Sequence, residues 1–404
     1  MLYIHFESNS FISPLLESEK ENNAPTPSAS PGNNFPANRL SPSAALPPFL
    51  RSLSVTSLKT AFETQFPSAH YLDAGHLDHL DPILRSHGLL KTDEIITTTE
   101  KPGEGNMNFV LRVITSHRTL ILKQSRPWVE KYPHIAAPVE RFHAEAAYYR
   151  FAADEPSLQS MSPALLGVDP IHLLIFSEDL GASSDYTFIY TQGSLLNRAE
   201  IRSLFRYLAQ LHHASQATDP STFPPNQALK VLNHEHIFNY PFSAHPGFDL
   251  ETIQPGLQSL ANPIIQDEVL RDRLTDLGNL YLGSGPVLIH GDFYPGSWLR
   301  TPPGLKIIDP EFAHFGHAEF DVGVLIAHLL LARTSSERIK LGLLAYQQYD
   351  SLDESLAFEF AGAEILRRLL GLAQLPVDLS LAEKEELISL AKTFVIDPAS
   401  AARF

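Results

Sequence analysis

The spacing of apolar residues changes several times along this chain, and each change predicts a different element. From Ser54 to Phe66 and from Leu80 to His87 the apolar positions recur at helical intervals, which predicts two helices beside the start of a small lobe. From Glu94 to Lys123 the period shortens. EIITTTE, NFVLRV and TLILKQ are β-branched or alternating runs separated by the turns PGEG and TSHR, a pattern of antiparallel sheet. Val139 to Phe151 returns to helical spacing with one face for burial, and His172 to Phe176 reads as a buried strand that Ser177 to Gly181 breaks. Ile201 to Ala214 is amphipathic. Thr218 to Pro263 is Pro-rich with weak periodicity, as expected of an irregular insertion. Val322 to Ala332, with His328 inside it, is an apolar run too short to span a bilayer and reads as a buried helix. Apolar helices follow from Glu337 onward, among them Phe358 to Leu372.

Chemistry concentrates between Leu288 and Leu331. Ser297 to Arg300 and Leu305 to Ile308 flank Thr301-Pro302-Pro303-Gly304, where proline presets φ and glycine permits positive φ, so the two segments predict a hairpin. The loops before its first strand and after its second then emerge at one end. Asp292 and Asp309 lie in those loops, so their carboxylates can converge across 17 positions of sequence. Two such carboxylates suit phosphoryl transfer: one orients the attacking hydroxyl and accepts its proton, the other holds Mg²⁺ against nucleotide phosphates. Asp321 is placed to cap the helix beginning at Val322 and to hydrogen-bond the backbone of His290-Gly291-Asp292, with His290 an orienting group.

Composition narrows the partners. The 404 residues, 44% of them hydrophobic, suffice for two lobes. A formal charge of -16 and a pI near 5.5 argue against nucleic acid or an anionic membrane as the main partner. With no cysteine there is neither a disulfide framework nor a thiolate metal site, which suits a reducing cytoplasm. The amino terminus lacks the basic region of a secretory signal, its first basic residue being Lys20. Glu17 to Pro48 is rich in Ser, Pro, Asn and Ala and is expected to be disordered, while Met1 to Phe6 reads as a frayed terminus. His234-Glu235-His236 lacks the HExxH spacing of a zinc helix and is read as solvated or capping residues.

HGDFYPGS, IDPEF and FDVG, taken in that order, resemble the kinase-like fold of the aminoglycoside and choline phosphotransferases, and most closely methylthioribose kinases. The resemblance covers about residues 80 to 400. It implies an α+β, bilobal protein-kinase-like fold: a disordered tail (1–50), a small antiparallel-sheet lobe with one main helix (51–176), and a larger, mostly helical catalytic lobe (177–404). It makes Asp292 the catalytic base and gives Asp309 and Glu311 to the metal. Ser297, where related kinases carry Asn, is a further metal candidate. Gly103, Gly105, Asn106 and Asn108 would belong to the loop that covers the phosphates. Lys123 would grip the α- and β-phosphates and pair with Glu145. Glu178 and Leu180 would lie in the hinge that meets adenine, and His212 in an LHxxS helix would pack.

In RRLLGLA, Arg367 and Arg368 would face the sugar or its new phosphate, the competing reading for Arg368 being an i,i+4 ion pair with Glu364. Tyr132-Pro133 stands where methylthioribose kinases have Trp-Pro. The cofactors expected are ATP and Mg²⁺, and the partner is a small-molecule acceptor, with a homodimer left open. The activity expected is phosphorylation of a sugar hydroxyl, foremost O1 of 5-methylthioribose. The rivals are an aminoglycoside, choline or homoserine as acceptor, and a nucleotide-binding regulator without turnover.

Overall fold

The computed structural model describes residues 55–75, 78–103, 105–243 and 248–401. The Ser/Pro-rich stretch, Met1 to Phe6 and Glu104 lie outside the described residues.

The small lobe is built on one antiparallel sheet in the order β1-β2-β3-β7-β6. Its strands are β1 (Ile96–Glu100), β2 (Phe109–Thr115), β3 (Thr119–Gln124), β6 (Leu165–Asp169) and β7 (Leu174–Glu178). β2 alternates buried and half-buried positions along its length, so each face of the sheet receives an apolar row. Leu111, Val113, Leu120, Leu122, Leu174 and Phe176 cover one face beneath helix α2 (Leu80–Ser86). The opposite face packs Ile175 against Trp128 and against Phe142 and Ala146 of α3 (Arg141–Asp154), with Phe62 of α1 (Val55–Gln65) completing that cluster.

Three expectations change here. β7 begins at Leu174 rather than His172, because the Asp169 side chain accepts the N–H groups of Ile171 and His172 and Leu173 takes a left-handed φ of 58°. β6 adds an edge strand that Leu-Leu-Gly-Val-Asp did not announce. The Pro-containing stretch after Lys123 is a two-stranded ribbon, β4 (Trp128–Val129) with β5 (Tyr132–Ala136), rather than a plain loop.

The large lobe opens with β8 (Ser184–Asp185), and α4 (Pro156–Gln159) bridges the lobes. α5 (Arg198–Ser215) starts at a capping box in which Asn197 and Glu200 satisfy each other's backbone N–H groups. The expected irregular insertion resolves into short pieces: α6 (Gln227–His234), a π-turn at Glu235–Asn239, α7 (Leu250–Ile253) and α8 (Leu257–Ile265). After α9 (Glu268–Leu282) come β9 (Val287–Ile289), the hairpin β10 (Trp298–Thr301) and β11 (Gly304–Ile307), and β12 (His314–Gly316). α10 (Ala318–Leu331) is buried on nearly every face and packs on α12 (Glu354–Leu370), with α11 (Ser336–Tyr346), α13 (Leu381–Ile396) and α14 (Pro398–Ala401) around them.

The apolar helix starts at Ala318, four residues before the expected Val322, and its N-cap is His317. Asp321 is therefore inside the first turn and is not the cap. The hairpin pairs Thr301 with Gly304, so its loop shortens to Pro302-Pro303, with Gly304 at φ 133°.

Candidate active site

β9 delivers His290-Gly291-Asp292 to the mouth of the large lobe. Gly291 has φ +82°, and a Cβ there would lie 2.4 Å from the Phe312 carbonyl oxygen, so only glycine lets the two loops come this close. The His290 and Gly291 N–H groups donate to the two oxygens of Asp321 at 2.6 and 3.0 Å, which meets the second expectation for that residue. His212, buried as expected, lies 3.4 Å from the same carboxylate. His290 Nε2–H donates to the Ile308 carbonyl at 3.0 Å, and its Nδ1 faces the Asp292 N–H at 3.4 Å. One imidazole thus ties the loop carrying Asp292 to the residue before Asp309. Burial keeps that ring below the ordinary histidine value, which suits a neutral orienting group.

Ser297 is buried in the 3₁₀ turn before β10 and donates its hydroxyl to the Asp292 carbonyl at 3.0 Å. Asp309 has a left-handed φ of 62°, the conformation that turns the chain out of β11. Its N–H donates to the Tyr149 hydroxyl at 3.2 Å.

From the small lobe, Lys123 on β3 reaches Glu145 of α3 at 2.7 Å, and its ammonium also contacts Asp309. Burial alone would pull that ammonium down, but the Asp309 and Glu145 carboxylates outweigh it and hold the group well above the ordinary lysine range. The lysine therefore stays charged.

Glu311 is buried. Its Oε2 accepts from Asn108 Nδ2 at 2.9 Å and pairs with Arg141 Nε at 3.1 Å. Burial lifts its carboxyl to about 7, against the pull of Arg141. Asp309, about 40% exposed, and Glu311 supply only carboxylate oxygens, the donor chemistry of a hard cation such as Mg²⁺. Both contacts of Glu311 fall on Oε2. The His234–His236 cluster offers no alternative: among the described residues no group of three or more His, Asp or Glu is arranged for a metal ion.

The expected phosphate-covering residues separate. Gly103 is exposed at the turn. A Cβ on Gly105 would strike the Asn108 carbonyl, so the turn there is tight. Asn106 reaches the large lobe, where its Nδ2 lies 3.4 Å from the Tyr294 hydroxyl. Asn108 is buried and fully engaged with Glu311, Ser125 and Arg141. Of the two residues expected in the hinge, Glu178 accepts the Ala164 N–H at 3.1 Å and borders a cavity of about 450 Å³ beside Tyr149 and Lys306, while Leu180 is half-buried.

A second cavity of about 320 Å³ opens at Asp292. Arg367, Arg368 and Tyr294 stand beside the carboxylate. Met107, Val129, Tyr132 and Ile135 line it from the small lobe, and Leu372 and Leu375 from the large lobe. Burial raises the Asp292 carboxyl above the ordinary aspartate value, opposed by Arg368 and Arg367. Arg368 Nη2 lies 3.5 Å from Asp292, and its Nε lies 2.5 Å from Glu364, so the ion pair and the site contact exist together. Arg367 pairs with Glu364 at 3.0 Å.

Periodicity did not single out Arg141, and His236, expected to be a solvated or capping residue, is half-buried and lines this cavity. Arg141 left one signal, a charged residue at the buried start of a helix.

The matching family model, described as the phosphotransferase enzyme family, covers residues 98–361, and the chain belongs to that family. It is a phosphotransferase with an alcohol group as acceptor and a bilobal kinase-like fold. Among similar proteins is a methylthioribose kinase of Exiguobacterium sibiricum, 27% identical over 348 residues, covering 72% of this chain and 83% of the relative. A methylthioribose kinase of Bacillus cereus is 25% identical over 364 residues, covering 76% and 87%. A solved choline kinase from Streptococcus pneumoniae aligns with 79% of this chain and 99% of its own, at 15% identity and a TM-score of 0.42. No helix among the described residues is long and apolar enough to cross a membrane.

Proposed function

We propose that this protein is an ATP-dependent small-molecule kinase that phosphorylates a sugar hydroxyl, with O1 of 5-methylthioribose as the acceptor. The observation that carries this reading is the half-buried Asp292 carboxylate, which lines a cavity together with two arginines and a set of apolar side chains. Arg367 and Arg368 are balanced in formal charge by Glu364 and Asp292, so the cavity suits an uncharged polyol with an apolar substituent better than a cationic aminoglycoside or choline. The methylthioribose kinases among the relatives point to the same acceptor.

In this reading Asp292 orients the acceptor hydroxyl and takes its proton as the oxygen attacks the γ-phosphorus; the bond from that phosphorus to the β,γ-bridging oxygen breaks, ADP leaves, and the proton ends on the carboxylate. The raised pKa that burial imparts makes the carboxylate a better proton acceptor than a solvated aspartate. Lys123, held by Glu145, balances phosphate charge, and Arg367 and Arg368 meet the charge of the phosphorylated product. Asp309 and Glu311 would hold Mg²⁺, which when bound offsets the negative charge of the nucleotide phosphates. The absence of cysteine suits a cytoplasmic setting.

The test is ATP consumption with Mg²⁺ across methylthioribose, choline, homoserine and aminoglycosides. Turnover with methylthioribose alone, abolished in Asp292→Asn with nucleotide affinity intact, is the expected result. Preference for a cationic acceptor overturns the substrate, and silence across the panel with intact ATP binding overturns the enzyme.

A further inference from the structure

Behind the two arginines lies a buried chain of groups that the phosphoryl-transfer reading leaves unused. The Tyr190 hydroxyl is 2.7 Å from His328 Nδ1, and His328 Nε2 is 3.2 Å from Glu364 Oε1. The same oxygen takes Arg368 Nε at 2.5 Å, and Glu364 Oε2 takes Arg367 Nη1 at 3.0 Å. Tyr190 and His328 are fully buried and Glu364 is 1% exposed, so no water screens these contacts. Glu364 is an anion and calls for a donor from His328, which places the imidazole proton on Nε2 and leaves Nδ1 to accept from the Tyr190 O–H. Three elements thereby converge on one carboxylate: α10 through His328, α12 through both arginines, and the 3₁₀ turn Thr187–Tyr190.

The consequence falls on Arg368. A guanidinium free to meet a carboxylate closes to about 2.7–2.9 Å, yet Arg368 Nη2 stops 3.5 Å from Asp292 Oδ1. Its Nε is held by Glu364, and its plane lies over the Tyr294 ring, 5.2 Å from the centroid. We infer that Glu364, locked by His328 and Tyr190, is a positioning residue that holds Arg368 back from Asp292 and so keeps the carboxylate open to the acceptor hydroxyl. The inference rests on the reading of Asp292 as the acceptor-side base. In it, the i,i+4 contact on α12 is what keeps the neighbouring arginine from neutralising that base.

Glu364→Gln tests this, because it preserves size and one acceptor oxygen while removing the charge that competes for Arg368. In a crystal structure of the variant, Arg368 should close on Asp292 to charge-assisted hydrogen-bond distance. Turnover should fall about 100-fold, as expected for an obstructed reacting group, with a higher KM for the acceptor and an unchanged KM for ATP. In an Arg368→Gln background, Glu364→Gln should cost little further turnover, since the arginine that it holds back is already gone. A merely structural Glu364 would cost as much in that background as in the parent. Tyr190→Phe removes only the hydroxyl that orients His328; it should cause a smaller loss of the same kind, and it replaces Glu364→Gln if that variant does not fold. An Arg368 that stays near 3.5 Å from Asp292, or a loss on Glu364→Gln as large in the Arg368→Gln background as in the parent, overturns the inference. If the unaltered protein turns over no acceptor, the proposed function fails, and the Arg368 position in the variant structure still decides the role of Glu364.

Discussion

Arg141 and Glu311 form a buried ion pair across the two lobes, Nε to Oε2 at 3.1 Å, although 170 positions separate them in sequence. Arg141 also donates to the carbonyls of Met107, Arg126 and Pro138 and to the Asn108 amide oxygen, so one fully buried guanidinium joins the turn before β2, the segment after β3, the start of α3 and the loop after β11. Arg141→Gln strands the Glu311 carboxylate and several carbonyls in a dry interior. Breaking a buried pair from one side costs about 3–5 kcal/mol, so the denaturant midpoint should drop with an unchanged slope. Arg141→Lys should rescue little, because an ammonium cannot reproduce the planar fork. A glutamine variant within about 1 kcal/mol of the parent would remove Arg141 from this role.

Gly291 carries a second constraint. With φ +82° and the Phe312 carbonyl 2.4 Å from where a Cβ would stand, Gly291→Ala must either strain the backbone or push the loops of Asp292 and Glu311 apart. Strain of this kind costs about 1–3 kcal/mol, and the displaced Asp292 should reduce turnover more than it reduces thermal stability. Comparing kcat with the melting temperature checks this; parallel small losses would mean that the loops tolerate the methyl group.

Lys123 sits between Glu145 and Asp309, and removing its charge leaves both carboxylates without their shared cation. Lys123→Met should lower turnover on the order of 10²-fold, the scale on which a preorganised electrostatic contact contributes. The KM for ATP should rise while affinity for the acceptor remains, because the cavity at Asp292 does not include this residue. Titration with acceptor alone, followed calorimetrically, separates these effects; lost acceptor binding would show that the lysine holds the whole interlobe arrangement.

The sequence exposed those parts of the site that local chemistry dictates. Proline and glycine between two β-compatible segments brought Asp292 and Asp309 to one end of a hairpin, and the order of strand and helix paired Lys123 with Glu145. Arg141 was hidden because its partners are mainly carbonyl oxygens of distant segments, to which periodicity is blind. Glu364 was visible only as an i,i+4 partner, since the convergence of His328 and Tyr190 on it depends on how α10 packs against α12. β6 was missed because Leu165 to Asp169 is short and holds a glycine, so pairing with β7 rather than propensity makes it a strand. Asp321 was misplaced as a cap because the helix extends one turn further back, through Ala318 and Phe320, whose burial only the assembled lobe supplies.

His314 gives the structure a pH dependence of its own. The ring is buried on β12, Nδ1–H donates to the Phe312 carbonyl at 2.9 Å, and Nε2 has no partner. Burial, helped by Lys230, lowers its pKa to about 4. The folded value is thus below the roughly 6.5 of an unfolded histidine, so between these values the unfolded chain binds a proton that the folded chain refuses. Stability from this residue is fully present above pH 6.5 and is lost as pH falls toward 4, by about 3 kcal/mol in all. His314→Gln removes the titration, so its unfolding free energy should fall less steeply than the parent's between pH 7 and 4.5, by about 2–3 kcal/mol. Urea unfolding of both proteins across that range measures the difference directly. Parallel curves would mean that the folded protein protonates His314 as readily as the unfolded chain does, which the buried and unpartnered Nε2 argues against.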